Sequence, residues 1–185
     1  MENKNNYPQE DVTTERVDHL IEERVPWLFV GLLGGLVATF IISHYEAIIS
    51  SDVRLAFFIP IVVYLSGAVG MQTETIYVRE LVIKKVHLGM YVLKESIIGL
   101  CLGIISGAVL GFFANLWLKS SDIGLTLAIT MIINLTLAPI LGVFIPSILY
   151  KEHTDPALGA GPVATIIQDL ISLLIYFFVA KAIIF

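Results

Sequence analysis

The chain has 185 residues, of which 57% are hydrophobic and only 15% charged, with a formal net charge of −5, and its mean hydropathy is +0.87. A water-soluble domain of this length carries far more charge on its surface, so the composition excludes an ordinary soluble enzyme and points away from nucleic acid as a partner. The charges that exist are gathered into short stretches between apolar runs too long for the core helices of a soluble fold. The expected class is therefore all-α integral membrane, with the lipid bilayer as its first partner.

Residues 1–24 hold seven acidic against three basic residues, a local net charge of −4. The first dozen residues, rich in Asn and acids, read as disordered. From Thr13 to Val25 the spacing of Val17, Leu20, Ile21 and Val25 gives one apolar stripe at helical period. That pattern predicts a short amphipathic helix at the membrane surface or on the rest of the protein. With no apolar stretch and no basic start, this arm does not read as a signal peptide. Pro26 and Trp27 then mark the expected entrance into the bilayer, where the amphipathic indole is favoured.

The chain thus divides into an acidic arm, 1–24, and a five-helix transmembrane domain, 25–185. The spans are expected at 26–48, 53–79, 91–118, 123–150 and 157–184. Several exceed the ~20 residues needed to cross, which predicts tilt or a broken helix. With five crossings, the N-terminal arm, the 79–94 stretch and the 151–156 turn share one side, which holds eight of the eleven Lys and Arg residues. The positive side is the inner one, so a multi-pass protein of the cell membrane is expected, with its N-terminus cytoplasmic and its C-terminus external.

In the first span Gly31 and Gly35 form a G-x-x-x-G step, and Thr39 continues the row. In the third, Gly99, Gly103, Gly107 and Gly111 recur every four residues on one face. Such faces let two backbones approach closely in lipid, which predicts helix packing. Cys101 is the only cysteine. It lies in an apolar run, where it reads as a packing residue, and it leaves no intrachain disulfide or cysteine metal cluster open.

In the second span Pro60 is expected to free the carbonyl of Ala56. Below it Ser66, Gly67, Gly70, Thr73 and Glu74 fall on one side, the candidate lining of a pathway. Two readings fit Glu74: the inner mouth of that pathway, or a snorkelling partner of Arg79 or a loop lysine. In the fourth span Thr126, Thr130 and Asn134 stand four residues apart, with Asn134 expected to bond between helices. His19, His44, His87 and His153 show no metal-ligand spacing.

Asp169 is the decisive residue. It sits in the fifth span between Ile166, Ile167, Leu170 and Ile171. A carboxylate near mid-bilayer costs roughly 2.5–3.5 kcal/mol on insertion scales, so it faces a water-filled cavity or a partner. Thr165 and Ser172 lie on the same helical side and extend it into a polar stripe. The alternative is a protonated Asp bonded to another helix. Just before the stripe comes Gly159-Ala160-Gly161-Pro162, where Pro162 cannot donate to the carbonyl of Leu158. This segment reads either as the start of a helix or as irregular backbone whose free carbonyls ligate a cation.

A twofold dimer would double the Asp169 charge across a shared axis. Magnesium sheds water reluctantly and is usually held by one or two carboxylates while keeping several waters. The residues thus suggest a homodimeric pore that recognises a hydrated divalent cation through Asp169, Thr165, Gly161 and Glu74, with Ser66, Gly67, Gly70, Thr73 and Ser172 lining it. Magnesium would be the transported ion, with no resident cofactor. Two other readings are a sodium- or proton-coupled exchanger and a non-conducting membrane assembly subunit. An enzyme is not expected: there is no second aspartate at comparable depth, no serine–histidine pair and no zinc helix.

The order of motifs resembles a known family. Arg24-Val25-Pro26-Trp27-Leu28, then Leu55-Ala56-Phe57-Phe58-Ile59-Pro60 with Ser66 to Thr75, then Asp155-Pro156-Ala157-Leu158-Gly159-Ala160-Gly161-Pro162 with Thr165 and Asp169, are similar to the membrane domain of MgtE-type magnesium transporters. The resemblance spans 24–185. It implies a dimeric five-helix domain whose second and fifth spans line the ion path, with Asp169 as the pore aspartate and the backbone near Gly161 and Thr165 beside the ion. It also implies a membrane domain alone, without the soluble N-terminal and CBS domains, so a separate regulatory subunit is an open partner. Four positions depart from the family pattern. Gly67-Ala68-Val69-Gly70 lacks the usual Asn, Thr165-Ile166 stands for the usual Thr-Thr, Glu74 stands where a small residue is common, and Gln168 replaces an apolar residue.

Overall fold

The computed structural model describes residues 16–83, 87–151 and 156–184. These are helical almost throughout. Helix α1 spans Val17–His44, α2 Glu46–Ser51, α3 Ile59–Ile83, α4 Leu88–Leu118, α5 Ser121–Lys151 and α6 Pro156–Ile184, and a 3-10 turn, Val53–Phe58, leads into α3. Five of these segments are long and apolar enough to cross a membrane. Their outward faces carry Leu32, Phe40, Ile105, Val109, Phe112 and Leu116, all more than half exposed. Contiguous apolar surface of this extent has no stable place in water, and it suits lipid.

Helix α1 differs from expectation. No break separates an amphipathic helix from a membrane span, because α1 runs through Pro26 without interruption. A proline removes one backbone donor and leaves the rest of the ladder intact, so a long apolar helix absorbs it. The part of the acidic arm before Arg16 lies outside the described residues. The first span also ends at His44 rather than 48, and the chain turns at Tyr45 into the short α2.

Helices α4 and α5 form the tightest pair, and the four-residue glycine row explains why. Gly99, Gly103, Gly107 and Gly111 are all buried. A Cβ on Gly107 would stand 2.7 Å from the Ala128 carbonyl, and one on Gly111 2.7 Å from the Gly124 carbonyl. The two backbones are thus in contact along the seam, the gain expected of small residues between helices in lipid. Lys119, with φ at 51°, takes the left-handed conformation that closes α4, and the Ser120 hydroxyl accepts from the Ile123 N–H at the start of α5.

The Gly31–Gly35 step meets nothing within 4 Å; Gly34 does the packing instead, its Cβ position 2.5 Å from Ile166 of α6. Helix α6 is the central element, touching α1, α3 and α5. At the end of the bundle carrying the α2 turn, the core gathers Leu55, Phe58, Leu127, Met131, Leu173, Tyr176 and Phe177. The Tyr176 hydroxyl donates to the Leu55 carbonyl at 2.8 Å, and the Tyr45 ring stacks on Phe177 with centroids 4.8 Å apart. Arg54 pairs with Asp52 at 2.6 Å and donates to the Leu118 carbonyl at 3.1 Å, tying the turn to the end of α4.

Candidate functional site

Helices α1 and α3 stand apart, and α6 forms the floor between them. The resulting groove has a volume of about 970 Å3, with Ala38 and Ile42 on one wall, Val63, Tyr64, Gly67, Ala68 and Met71 on the other, and Thr165, Asp169 and Leu173 beneath. Asp169 lies opposite Gly67: its Oδ1 is 3.8 Å from where a Cβ on that glycine would be. Gly67 thereby leaves the carboxylate uncovered, half-exposed on the groove floor. Among the described residues, no hydrogen bond or ion pair reaches Asp169, so the protonated, interhelically bonded aspartate finds no partner among them.

The polar stripe of α6 divides. Thr165 is exposed beside Asp169, while Ser172 is buried. Three residues turn a helix by about 300°, which carries Ser172 round from Asp169 to the side of Gln168. There Gln168 Nε2 donates to Ser66 Oγ at 2.7 Å, and Ser172 Oγ lies 2.8 Å from Ser66 Oγ and 2.7 Å from the Gln168 carbonyl. Asn134 Nδ2 reaches the Ser172 carbonyl at 3.4 Å, the interhelical bond expected of it. Thr126 and Thr130 extend this face of α5 with buried hydroxyls that have no partner among the described residues.

Of the residues expected to line a pathway, Gly67 borders the groove. Ser66, Gly70, Thr73 and Ser172 are buried inside the helix bundle. Thr73 donates to Glu95 Oε2 of α4 at 2.9 Å. Glu95 was missing from the sequence reading, because beside Lys94 at the start of an apolar run it passes for a helix-end charge. Glu74 is half-buried between α3, α5 and α6, and among the described residues no ion pair joins it to Arg79. The Ala56 carbonyl is not free either. Pro60 sits in the first turn of α3, where a missing N–H costs nothing, and the Ile59 N–H bonds Ala56. Residues 156–162 are helical, so Gly161 belongs to the first turns of α6.

Asp52 lies outside the spans. The Arg54 guanidinium beside it holds its carboxyl below the usual range. The groove is different in kind: one unpartnered carboxylate with an adjacent hydroxyl, on apolar walls. Oxygen donors of this type suit hard cations; among the described residues no three His, Cys, Asp or Glu side chains gather into a group, in the groove or outside it.

A family model described as a divalent cation transporter, MgtE, matches residues 59–179. Magnesium transporters MgtE of Enterococcus faecalis and Bacillus subtilis are each 32% identical to this chain over 162 residues, which is 86% of it and 36% of theirs. The magnesium transporter MgtE of Thermus thermophilus is 28% identical over 85% of the chain. The chain therefore spans about a third of the length of these curated relatives.

Proposed function

The chain belongs to the MgtE family of divalent cation transporters, and from that membership we propose that it carries magnesium across the membrane through a homodimeric pathway centred on Asp169. The observation that carries this reading is the unpartnered carboxylate on the floor of the groove. A charge held uncompensated at membrane depth marks an ion path, because its cost is recovered only when a cation arrives.

The groove is open along one side, so a twofold mate would close it and bring a second Asp169 to the axis. Two carboxylates offer the charge that a divalent ion needs, and a magnesium ion keeping its inner waters would bond them through those waters. Thr165, one turn before Asp169 on α6, is the neutral hydroxyl that shares the groove with it, whereas Gly161 lies about 12 Å from Asp169 along the helix. The buried Gln168–Ser66–Ser172 network acts from behind, fixing the rotation of α6 on α3 so that Asp169 faces the groove. With the more basic end inside, the N-terminus is cytoplasmic and the C-terminus external. A non-conducting assembly subunit would have no use for the exposed carboxylate, and a coupled exchanger needs a second ion site.

The test is a magnesium titration of the purified chain in detergent, followed by apparent melting temperature. The wild type is expected to rise saturably with magnesium, and Asp169→Asn to lose that rise while remaining folded. A wild type indifferent to magnesium overturns the reading.

A further inference from the structure

At the bundle end that carries the α2 turn, the α4–α5 seam opens outward as a trough of about 520 Å3. Its floor is nearly bare of side chains, with Gly107 and Gly111 of α4 against Ala128 and Gly124 of α5. A Cβ on Gly124 would stand 2.7 Å from the Gly111 carbonyl, so the two backbones touch there. Phe112 of α4 and Leu125 of α5 form apolar walls, 65% and 51% exposed. Three polar side chains complete the same lining: Asn115 near the end of α4, and Ser121 and Asp122 at the start of α5. All three are exposed, and among the described residues none of these side chains has a hydrogen bond or an ion pair. Trp117, exposed two residues beyond Asn115, marks the depth of the lipid headgroups.

A first-turn aspartate is ordinary by itself, since a helix N-terminus favours negative charge. The trough beside it is what selects an occupant. From Gly107 to Asn115 it runs about 12 Å along α4 at 1.5 Å per residue, most of the ~15 Å hydrocarbon depth of one leaflet. Its lining is therefore that of an amphiphile, apolar along the seam and polar at the headgroup level. The polar groups match a zwitterion. The Asn115 amide and the Ser121 hydroxyl can donate to a phosphate, while the Asp122 carboxylate accepts from a primary ammonium. An anionic headgroup leaves that carboxylate unmatched, and a choline offers it no N–H. We propose that this trough binds an aminophospholipid of the phosphatidylethanolamine type, one acyl chain lying on the glycine seam and the ammonium on Asp122. The trough shares no lining residue with the groove that holds Asp169, so the site stands independently of the ion path.

The experiment measures the apparent melting temperature of the purified full chain in a non-ionic detergent, without magnesium, as dioleoyl lipids are added at rising mole fraction. Phosphatidylethanolamine is expected to raise it saturably, at a half-saturating mole fraction about fivefold lower than phosphatidylcholine or phosphatidylglycerol. Asp122→Asn, which keeps size and removes charge, should erase that preference while leaving the response to phosphatidylcholine unchanged, which also shows the variant to be folded. Ala108→Phe, which fills the trough from α4, should weaken the response to all three lipids. Glycerophosphoethanolamine, the headgroup without chains, should not substitute for the lipid. No preference for phosphatidylethanolamine in the wild type, or a preference that Asp122→Asn retains, overturns the proposal. So does an undiminished lipid response in Ala108→Phe, or an equal response to the free headgroup.

Discussion

Replacing Gly107 by alanine tests whether the α4–α5 seam holds the bundle together. The added Cβ would lie 2.7 Å from the Ala128 carbonyl oxygen and 3.3 Å from its Cα, both backbone atoms that cannot swing aside. Against the 3.4 Å at which ordinary contact begins, the shortfall is about 0.7 Å, so the helices must part by that much. A gap of that size forfeits roughly a quarter to a half of each dispersion contact along the seam. Overpacking a tight interface costs about 1–3 kcal/mol, and the better helix propensity of alanine returns about 0.8–1 kcal/mol. The expected net loss is up to about 2 kcal/mol, read as a lower apparent melting temperature of the purified protein. Gly31→Ala is the control, since nothing lies within 4 Å of its Cβ position, and it should be neutral or gain about 0.5–1 kcal/mol. Gly107→Ala melting with or above Gly31→Ala would refute the reasoning.

Three further substitutions probe the structure around the site. Tyr176→Phe removes the donor to the Leu55 carbonyl and should cost about 1–3 kcal/mol, since that oxygen is left buried and unpaired; a change below the scatter of replicate melts would contradict this. Thr130→Val removes a buried hydroxyl without a partner and should leave thermal stability equal or higher by up to about 1 kcal/mol; a marked loss would show that the hydroxyl holds ordered water. Arg54→Ala should lower melting temperature at neutral pH, because Arg54 depresses the Asp52 carboxyl in the folded state. A depressed carboxyl stabilises above its unfolded pKa of about 3.9 and loses that contribution as pH falls through the folded value, so the difference should shrink below about pH 4 to what the bond to the Leu118 carbonyl contributes. A difference that does not shrink at all as pH falls would mean that the ion pair contributes nothing to it.

The membrane architecture was legible because each span is a long apolar run, and length alone nearly decides such a helix. The glycine row of α4 was legible for a similar reason: four residues repeated on one face admit few meanings in lipid. Pro26 misled because a proline is a weak stop signal in a helix whose flanks are uniformly apolar. The Gly31–Gly35 step misled because spacing identifies a smooth face and not the neighbour that uses it; Gly34 found Ile166 instead. The same ambiguity governed the polar residues of α3 and α6. Periodicity placed Ser66 and Thr73 on one side of the second span and Ser172 beside Asp169, yet packing against α6 and α4 buries them, and only the packed structure sets those neighbours. Glu95 and Gln168 carried no local motif, since their partners Thr73 and Ser66 lie 22 and 102 residues away in the chain.

Magnesium uptake into proteoliposomes, for wild type against Asp169→Asn, tests the central claim most directly. The account predicts uptake down a magnesium gradient by the wild type, and flux no greater than that of protein-free liposomes for Asp169→Asn, with that variant folded and in the same oligomeric state. Equal flux through the two proteins, or none through a folded wild type under magnesium, sodium or proton gradients, would contradict it.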